Sequence, residues 1–331
     1  ENKQLLTELE TLRAGAAKDP ADDRMKLMAG TTDVEGEGIE ILLDDSNIAK
    51  KSGENPNLYI IHDEDLLRVL NELRAVWRAK TLVWVLTRRE VAARHSGTAL
   101  GVLWPYLQPL LTVAAYYLVF DVVFSMRLGE GAPTHAVGAF LIVGALPWMA
   151  FCDAVSRGMN SLIDAGGLLQ KNPLPPVLFT TRAVLASSLI YGPLLVLVGL
   201  AYAPMHRFQW PVLAFPVLLG LQLLLCLPLG FALAILAAAL RDTVQLVGFL
   251  LSVGIYLSPI LFPLTLFPEA WRWVLWLNPM TALVQGYQEI LLRGAWPPLS
   301  VWWVTLAWIA ATATLLALLV RRSQDQLVDW L

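Results

Sequence analysis

Residues 208–240 contain no Asp, Glu, Lys, Arg or His, and neither do residues 183–205. A helix of roughly 20 apolar residues crosses the hydrocarbon of a bilayer. Within lipid every backbone N–H and C=O must be satisfied inside the chain, so stretches of this kind are helices or nothing. Four further stretches fit the same criterion. They are Leu103–Phe124, with Pro105, Pro109 and one acid, Asp121; Ala136–Val155, with Pro147; and residues 243–268 and 295–320. The expected fold class is an all-α polytopic membrane protein with six transmembrane helices.

Composition agrees. Of 331 residues, 56% are hydrophobic and 15% charged, against roughly 25% charged in ordinary soluble domains. The net charge of −3 hides two regions: residues 1–65 hold 7 Lys and Arg against 16 Asp and Glu, whereas residues 66–331 hold 17 against 11. The acidic extension, residues 1–65, offers only short apolar pieces such as Ile39–Leu43 and is expected to be weakly ordered or accessory. The first apolar run begins near residue 98, so the first span is expected to act as its own signal. Cys152 and Cys226 both lie in apolar stretches without a partner motif and read as small buried hydrophobes.

From Asp65, a candidate N-cap, to about Ser96 the pattern becomes helical. Leu66, Val69, Leu70, Leu73, Val76 and Trp77, then Leu82–Leu86, oppose Arg68, Arg74, Arg78, Lys80, Arg88, Arg89 and Arg94. Residues 66–97 therefore predict an amphipathic helix on the membrane surface, with Trp77 and Trp84 at the headgroups; the alternative is a surface helix of a soluble subdomain. Residues 98–322 form the spanning domain and 323–331 a short tail.

Eleven Lys and Arg flank the spans on the side of residues 78–94, 157–182, 241 and 321–322, against four (Arg127, Arg207, Arg272, Arg293) on the other. That asymmetry places both termini in the cytoplasm. Segment 268–294 is apolar yet carries Glu269, Arg272, Glu289 and Arg293, and Asn278-Pro279 interrupts it. A re-entrant helix pair between the fifth and sixth spans is expected in place of a seventh crossing.

No catalytic constellation is visible. There is no GxxxxGK[ST] phosphate loop, no HExxH and no GxSxG, and His62, His95, His135 and His206 are scattered. No catalytic residue, metal site or cofactor is expected in this chain. Asp121 and Asp153 read as interfacial acids, the alternative being a proton relay. The spans do carry aromatics: Tyr106, Tyr116, Tyr117, Phe120 and Phe124 in the first, Phe249, Tyr256 and Phe262 in the fifth, and Trp271, Trp273 and Trp276 in the interrupted segment. They suit an interfacial belt or, alternatively, a surface for the apolar faces of sugar rings.

Three ordered segments carry a resemblance. Residues 94–109, RHSGTALGVLWPYLQP, resemble the RY(K/R)xSxLGxLWxxLxP opening of membrane subunits of ATP-binding-cassette exporters for O-antigen, capsule and teichoic acid. Residues 144–175, GALPWMAFCDAVSRGMNSLIDAGGLLQKNPLP, and 258–294, SPILFPLTLFPEAWRWVLWLNPMTALVQGYQEILLRG, are similar to that family's second and third motifs. Position 95 is His where the family often has Tyr, 288 is Gln where Arg is common, and residues 1–65 have no counterpart.

The resemblance implies a homodimer in the bacterial cytoplasmic membrane, paired with two copies of a separate ATPase subunit that binds ATP and Mg. The substrate would be an undecaprenyl-type lipid-linked glycan, with membrane lipids but no nucleic acid as further partners. It implies an interface or gate helix bearing Trp77, Trp84, Arg88, Arg89 and Arg94. It also implies a coupling helix in the loop around Arg157–Lys171, touching the ATPase through Arg157, Asn160, Ser161, Asp164, Leu168 and Lys171. The aromatics above would line the glycan channel. The rival readings are a related permease for drugs or lipids, and a membrane-embedded glycan-processing enzyme. Purified alone, the chain is predicted to release no phosphate from ATP; robust hydrolysis in a phosphate-release assay without a partner refutes this reading.

Overall fold

The computed structural model describes residues 76–94, 97, 99–129, 132–171, 174–202 and 210–323. The expectations for residues 1–65, for 66–75 of the interface helix and for the tail from 324 lie outside these residues. The described chain is helical, and it contains no strand; the nearest approach is one isolated antiparallel bridge, Arg127 to Ala136.

The elements are α1 (Lys80–Ala93), α2 (Trp104–Tyr116), α3 (Val137–Leu169), α4 (Val177–Tyr202), α5 (Ala214–Ala239), α6 (Asp242–Gly254), α7 (Arg272–Leu275), α8 (Met280–Gln288) and α9 (Leu299–Ser323). Pro105 opens α2, where its missing N–H costs nothing, and α2 continues as a π-helical stretch, Tyr117–Val123. A second π-helical stretch, Glu289–Arg293, follows α8 and ends on Gly294 in the left-handed region. Among the described residues five helices are long and apolar enough to cross a membrane: Trp104–Val123, α3, α4, Trp210–Ala239 and α9.

The core gathers around α3. It packs against α2, α4, α5, α6 and α8, and 78% of its most apolar window is buried, against 6% for Trp104–Val123. With no hydrophobic drive between helices in lipid, close approach of small residues is what holds such a bundle. Gly158 on α3 and Gly230 on α5 supply it, for a Cβ built on Gly158 would lie 3.0 Å from the Gly230 Cα.

Two boundaries differ from expectation. The predicted second span does not end at Val155, because α3 runs on to Leu169 without a break. Its polar residues beyond Val155 are spaced so that Met159, Leu162, Ala165 and Leu169 still bury one apolar face, which keeps the helix against α4 and α5. The predicted fifth span, 243–268, is helical only over Asp242–Gly254, 13 residues. Turns follow from Ile255, since Pro259, Pro263 and Pro268 each lack an N–H and restrict the residue before them. The interrupted segment divides at Asn278-Pro279 into α7 and α8, as the sequence predicts.

Gly158→Leu should therefore force α3 and α5 apart. The expected cost is about 1–3 kcal/mol from overpacking, read as a lower melting temperature in detergent by fluorescence-detected size exclusion; an unchanged melting temperature refutes the crossing.

Candidate functional site

Helix α1 and the residues flanking it divide their charges. Trp77, Arg78, Lys80, Trp84, Arg88 and Arg89 are exposed, while Leu82, Val83 and Thr87 are buried on the other face. Lys80 Nζ lies 5.2 Å over the Trp77 ring. Arg94 is different, turning inward with a side chain 6% exposed. Burial lowers its pKa, the like charge of Arg157 adds to this, and the carboxylates of Asp153 and Glu90 oppose it.

Those carboxylates form a network. Asp153 on α3 accepts from Arg94 Nη1 at 3.4 Å, from Arg157 Nε at 2.8 Å and from Ser187 Oγ on α4 at 2.6 Å. Glu90 on α1 pairs with Arg182 Nε of α4 at 3.2 Å and with Arg94 at 4.0 Å. Charge-assisted bonds between partly buried groups are the strong ones, and here they join α1, α3 and α4. A polar cavity of 360 Å³ lies alongside, lined by Glu90, Asp153, Arg157, Asn160, Asp164 and Arg182 among others. The paired Asp153 disfavours a proton relay, because both of its oxygens are engaged by donors.

The coupling candidates sit on the α3 extension and not in a separate loop helix. Arg157, Asn160 and Asp164 face the polar cavity, whereas Leu168 and Lys171 are exposed near the end of the helix. Ser161 also lines the cavity but is buried, donating to the Gly158 carbonyl and sharing a 2.8 Å contact with Thr180 Oγ1 on α4.

The aromatics also divide. Tyr106 donates to the Leu189 carbonyl at 3.3 Å. Tyr116, Phe120 and Phe124 make successive ring contacts at 6.4 and 6.2 Å. Phe262 stacks on Phe267, and the Trp276 carbonyl accepts from Trp308 Nε1. Tyr117, Phe124, Phe249, Tyr256, Trp271 and Trp273 are exposed. Within one chain they do not converge on the polar cavity or on the apolar one of 240 Å³ between α3, α4 and α5. Near them Asp121, in the π-helical end of α2, packs against Gly138 and lies 3.6 Å from Arg127.

Buried amides organise the interrupted segment. Asn278 Nδ2 donates to the Gly254 carbonyl at 2.9 Å and to Ser258 Oγ at 3.0 Å, while its Oδ1 accepts from Met280 N at 3.0 Å. One side chain thus caps α8 and ties it to the end of α6. Thr281 Oγ1 donates to the Leu275 carbonyl. Gln288 Nε2 donates to the Pro259 carbonyl at 2.7 Å. Tyr287 donates to Gln222 Oε1 at 2.9 Å, and Gln222 Nε2 donates to the Pro147 carbonyl at 2.9 Å. Among the described residues no group of three His, Cys, Asp or Glu could hold a metal ion.

The family model for the ABC-2 type transporter matches residues 81–292, the stretch that contains the ionic network, the five bundle helices up to α6 and the Asn278 ties. The chain belongs to the ABC-2 type transporter family. A model of bacterial proteins of unknown function matches residues 22–76. The permease is 32% identical over 240 residues to the O-antigen export system permease protein RfbA of Myxococcus xanthus, covering 70% of this chain and 87% of that protein. It is 24% identical to a protein of the same name from Klebsiella pneumoniae, covering 64% and 81%. It is 25% identical to the polysialic acid transport protein KpsM of Escherichia coli, covering 65% and 83%.

Sequence reasoning named Arg94, Arg157 and the Asn278-Pro279 break but not Glu90, Arg182, Ser187, Gln222 or Tyr287 of this ABC-2 permease. The i,i+4 spacings of Glu90 with Arg94 and of Asp153 with Arg157 were the signals available for the network. Asn278→Ala strands the Met280 N–H and removes the tie to Gly254 and Ser258, whose hydroxyl keeps its own bond to the Gly254 carbonyl. It should cost about 1–3 kcal/mol, seen as a lower unfolding temperature by scanning fluorimetry, with Asn278→Asp intermediate; equal melting curves refute the capping role.

Proposed function

We propose that this ABC-2 permease is the transmembrane subunit of an ATP-driven exporter of lipid-linked polysaccharide, in the O-antigen, capsule or teichoic acid class. The observation that carries the reading is the similarity to the Myxococcus O-antigen export permease across 87% of that protein. The polysialic acid relative supports the same cargo class. The lack of a phosphate loop in the chain supports a separate ATPase subunit as the energy source.

In this reading the permease sits in the bacterial inner membrane as a homodimer with two ATPase copies, both termini cytoplasmic. It crosses six times. The fifth crossing is α6, about 20 Å of helix at 1.5 Å per residue, completed by the turns from Ile255. The pieces α7 and α8 are the re-entrant pair, tolerated at depth because Asn278, Thr281 and Gln288 satisfy the backbone around the break. The exposed cationic face of α1 lies on headgroup phosphates. Residues 66–97 are the interface helix, 98–322 the permease domain, 1–65 an accessory extension and 323–331 a tail. The α3 extension, through Arg157, Asn160, Asp164, Leu168 and Lys171, meets the ATPase.

The exposed aromatics of α2 and α6 need a partner surface to form a channel, and a second copy of the chain supplies one. Sugar rings would slide over their faces while the hydroxyl groups stay wet. Expressed with its ATPase partner, the permease should restore surface glycan to a strain lacking its exporter. Replacing Tyr117, Phe120 and Tyr256 together with Ala should lower that surface glycan about tenfold or more, equivalent to a transport barrier raised by about 1.4 kcal/mol. Normal glycan with altered drug resistance instead assigns the permease to drug export.

A further inference from the structure

Helix α1 packs along α4, and its polar link to α3 runs through one carboxylate, Asp153, which gathers three donors. Asp153 Oδ2 receives Ser187 Oγ and Arg94 Nη1, and Oδ1 receives Arg157 Nε. Arg94 and Asp153 are 59 residues apart in the chain, so the link is tertiary. Arg94 Nη2 also reaches Ser187 Oγ at 3.5 Å, and Arg182 of α4 closes the ring onto Glu90 of α1.

Asp153 also stands at a mechanical position. It is one turn before the α3 extension, and α3 is a single helix from Val137 to Leu169. From Asp153 to Gly167 the helix spans about 21 Å at 1.5 Å per residue. A push on the far end of that arm is delivered at Asp153 and has little freedom to dissipate within a hydrogen-bonded helix.

We propose that Asp153 is the positioning residue through which movement of the α3 arm is delivered to the interface helix. The proposal rests on the exporter reading above, in which an ATPase pushes on that arm. Interfaces of this kind switch between discrete packings and do not stretch. Shared by Arg94 and Arg157, the carboxylate holds α1 and the arm together as one body. An uncharged side chain of the same shape keeps the packing but removes the carboxylate that Arg94 and Arg157 share, leaving the buried Arg94 guanidinium with Glu90 at 4.0 Å and Ser187 Oγ at 3.5 Å and without its ion pair to the arm. Movement of the arm then reaches the bundle without moving α1.

The test uses the whole complex of permease and ATPase partner in proteoliposomes. Spin labels are placed at Ala92→Cys on α1 and at Gly167→Cys on the arm, both exposed positions. In the unaltered network the separation of α1 and the arm should respond to ATP plus vanadate as one pattern. With Asp153→Asn that pattern should change, export should fall about tenfold, and ATP hydrolysis should stay within about twofold, a size of effect ordinary for coupling between sites. Asp153→Glu should restore export. The proposal is overturned if Asp153→Asn leaves the label response and export intact, or if hydrolysis and export fall together in proportion to the assembled complex. Should that variant not assemble, Arg157→Gln and Ser187→Ala each remove one contact and keep the carboxylate; an unchanged label response in both overturns the proposal. A native complex that responds to ATP but moves no glycan refutes the cargo reading alone, and the label response still decides the role of Asp153.

Discussion

Hydrocarbon offers no hydrogen bonds, and that constraint shapes every part of this permease. Regular helices meet it without help, which is why α3, α4, α5 and α9 are long and uninterrupted. Wherever the chain leaves helical geometry at depth, a side chain has to replace the missing backbone partner. Asn278 does so between α6 and α8 and Gln288 at Pro259.

The same constraint governs charge. Ionised groups near the membrane are retained only when paired, and the ring of Glu90, Arg94, Asp153, Arg157 and Arg182 satisfies this with five partly buried side chains. Its members come from α1, α3 and α4, so the condition that makes the charges tolerable also makes the three elements a unit. Around it, α3 is central because it buries residues on nearly all sides, and the glycine pair at its crossing with α5 brings the backbones close enough for dispersion contacts to hold the bundle.

Residues that would handle cargo obey a different logic. Tyr117 and Phe124 beyond α2, Phe249 on α6 and Tyr256 after it are exposed in the single chain. This division separates a core whose amides and hydroxyls are bonded to named neighbours from a periphery of exposed rings. Tyr106 and Trp276 belong to the first group despite their composition, since each is bonded into the bundle.

Much of the architecture was legible in the linear order of residues. Hydropathy marked the spans, because burial in lipid demands about 20 uncharged residues regardless of tertiary context. Asn278-Pro279 marked the break between α7 and α8, because proline restricts the residue before it wherever it occurs. The basic character of α1 and the absence of a phosphate loop are likewise local properties of the chain. Tertiary structure alone decided where α3 ends, since its polar arm stays helical by packing against α4 and α5. It alone shortened the fifth predicted span, and it alone showed which arginine turns inward. Arg88, Arg89 and Arg94 are equivalent as sequence; only Arg94 has Asp153 within reach, and that depends on a contact between positions 59 residues apart, which no local pattern encodes.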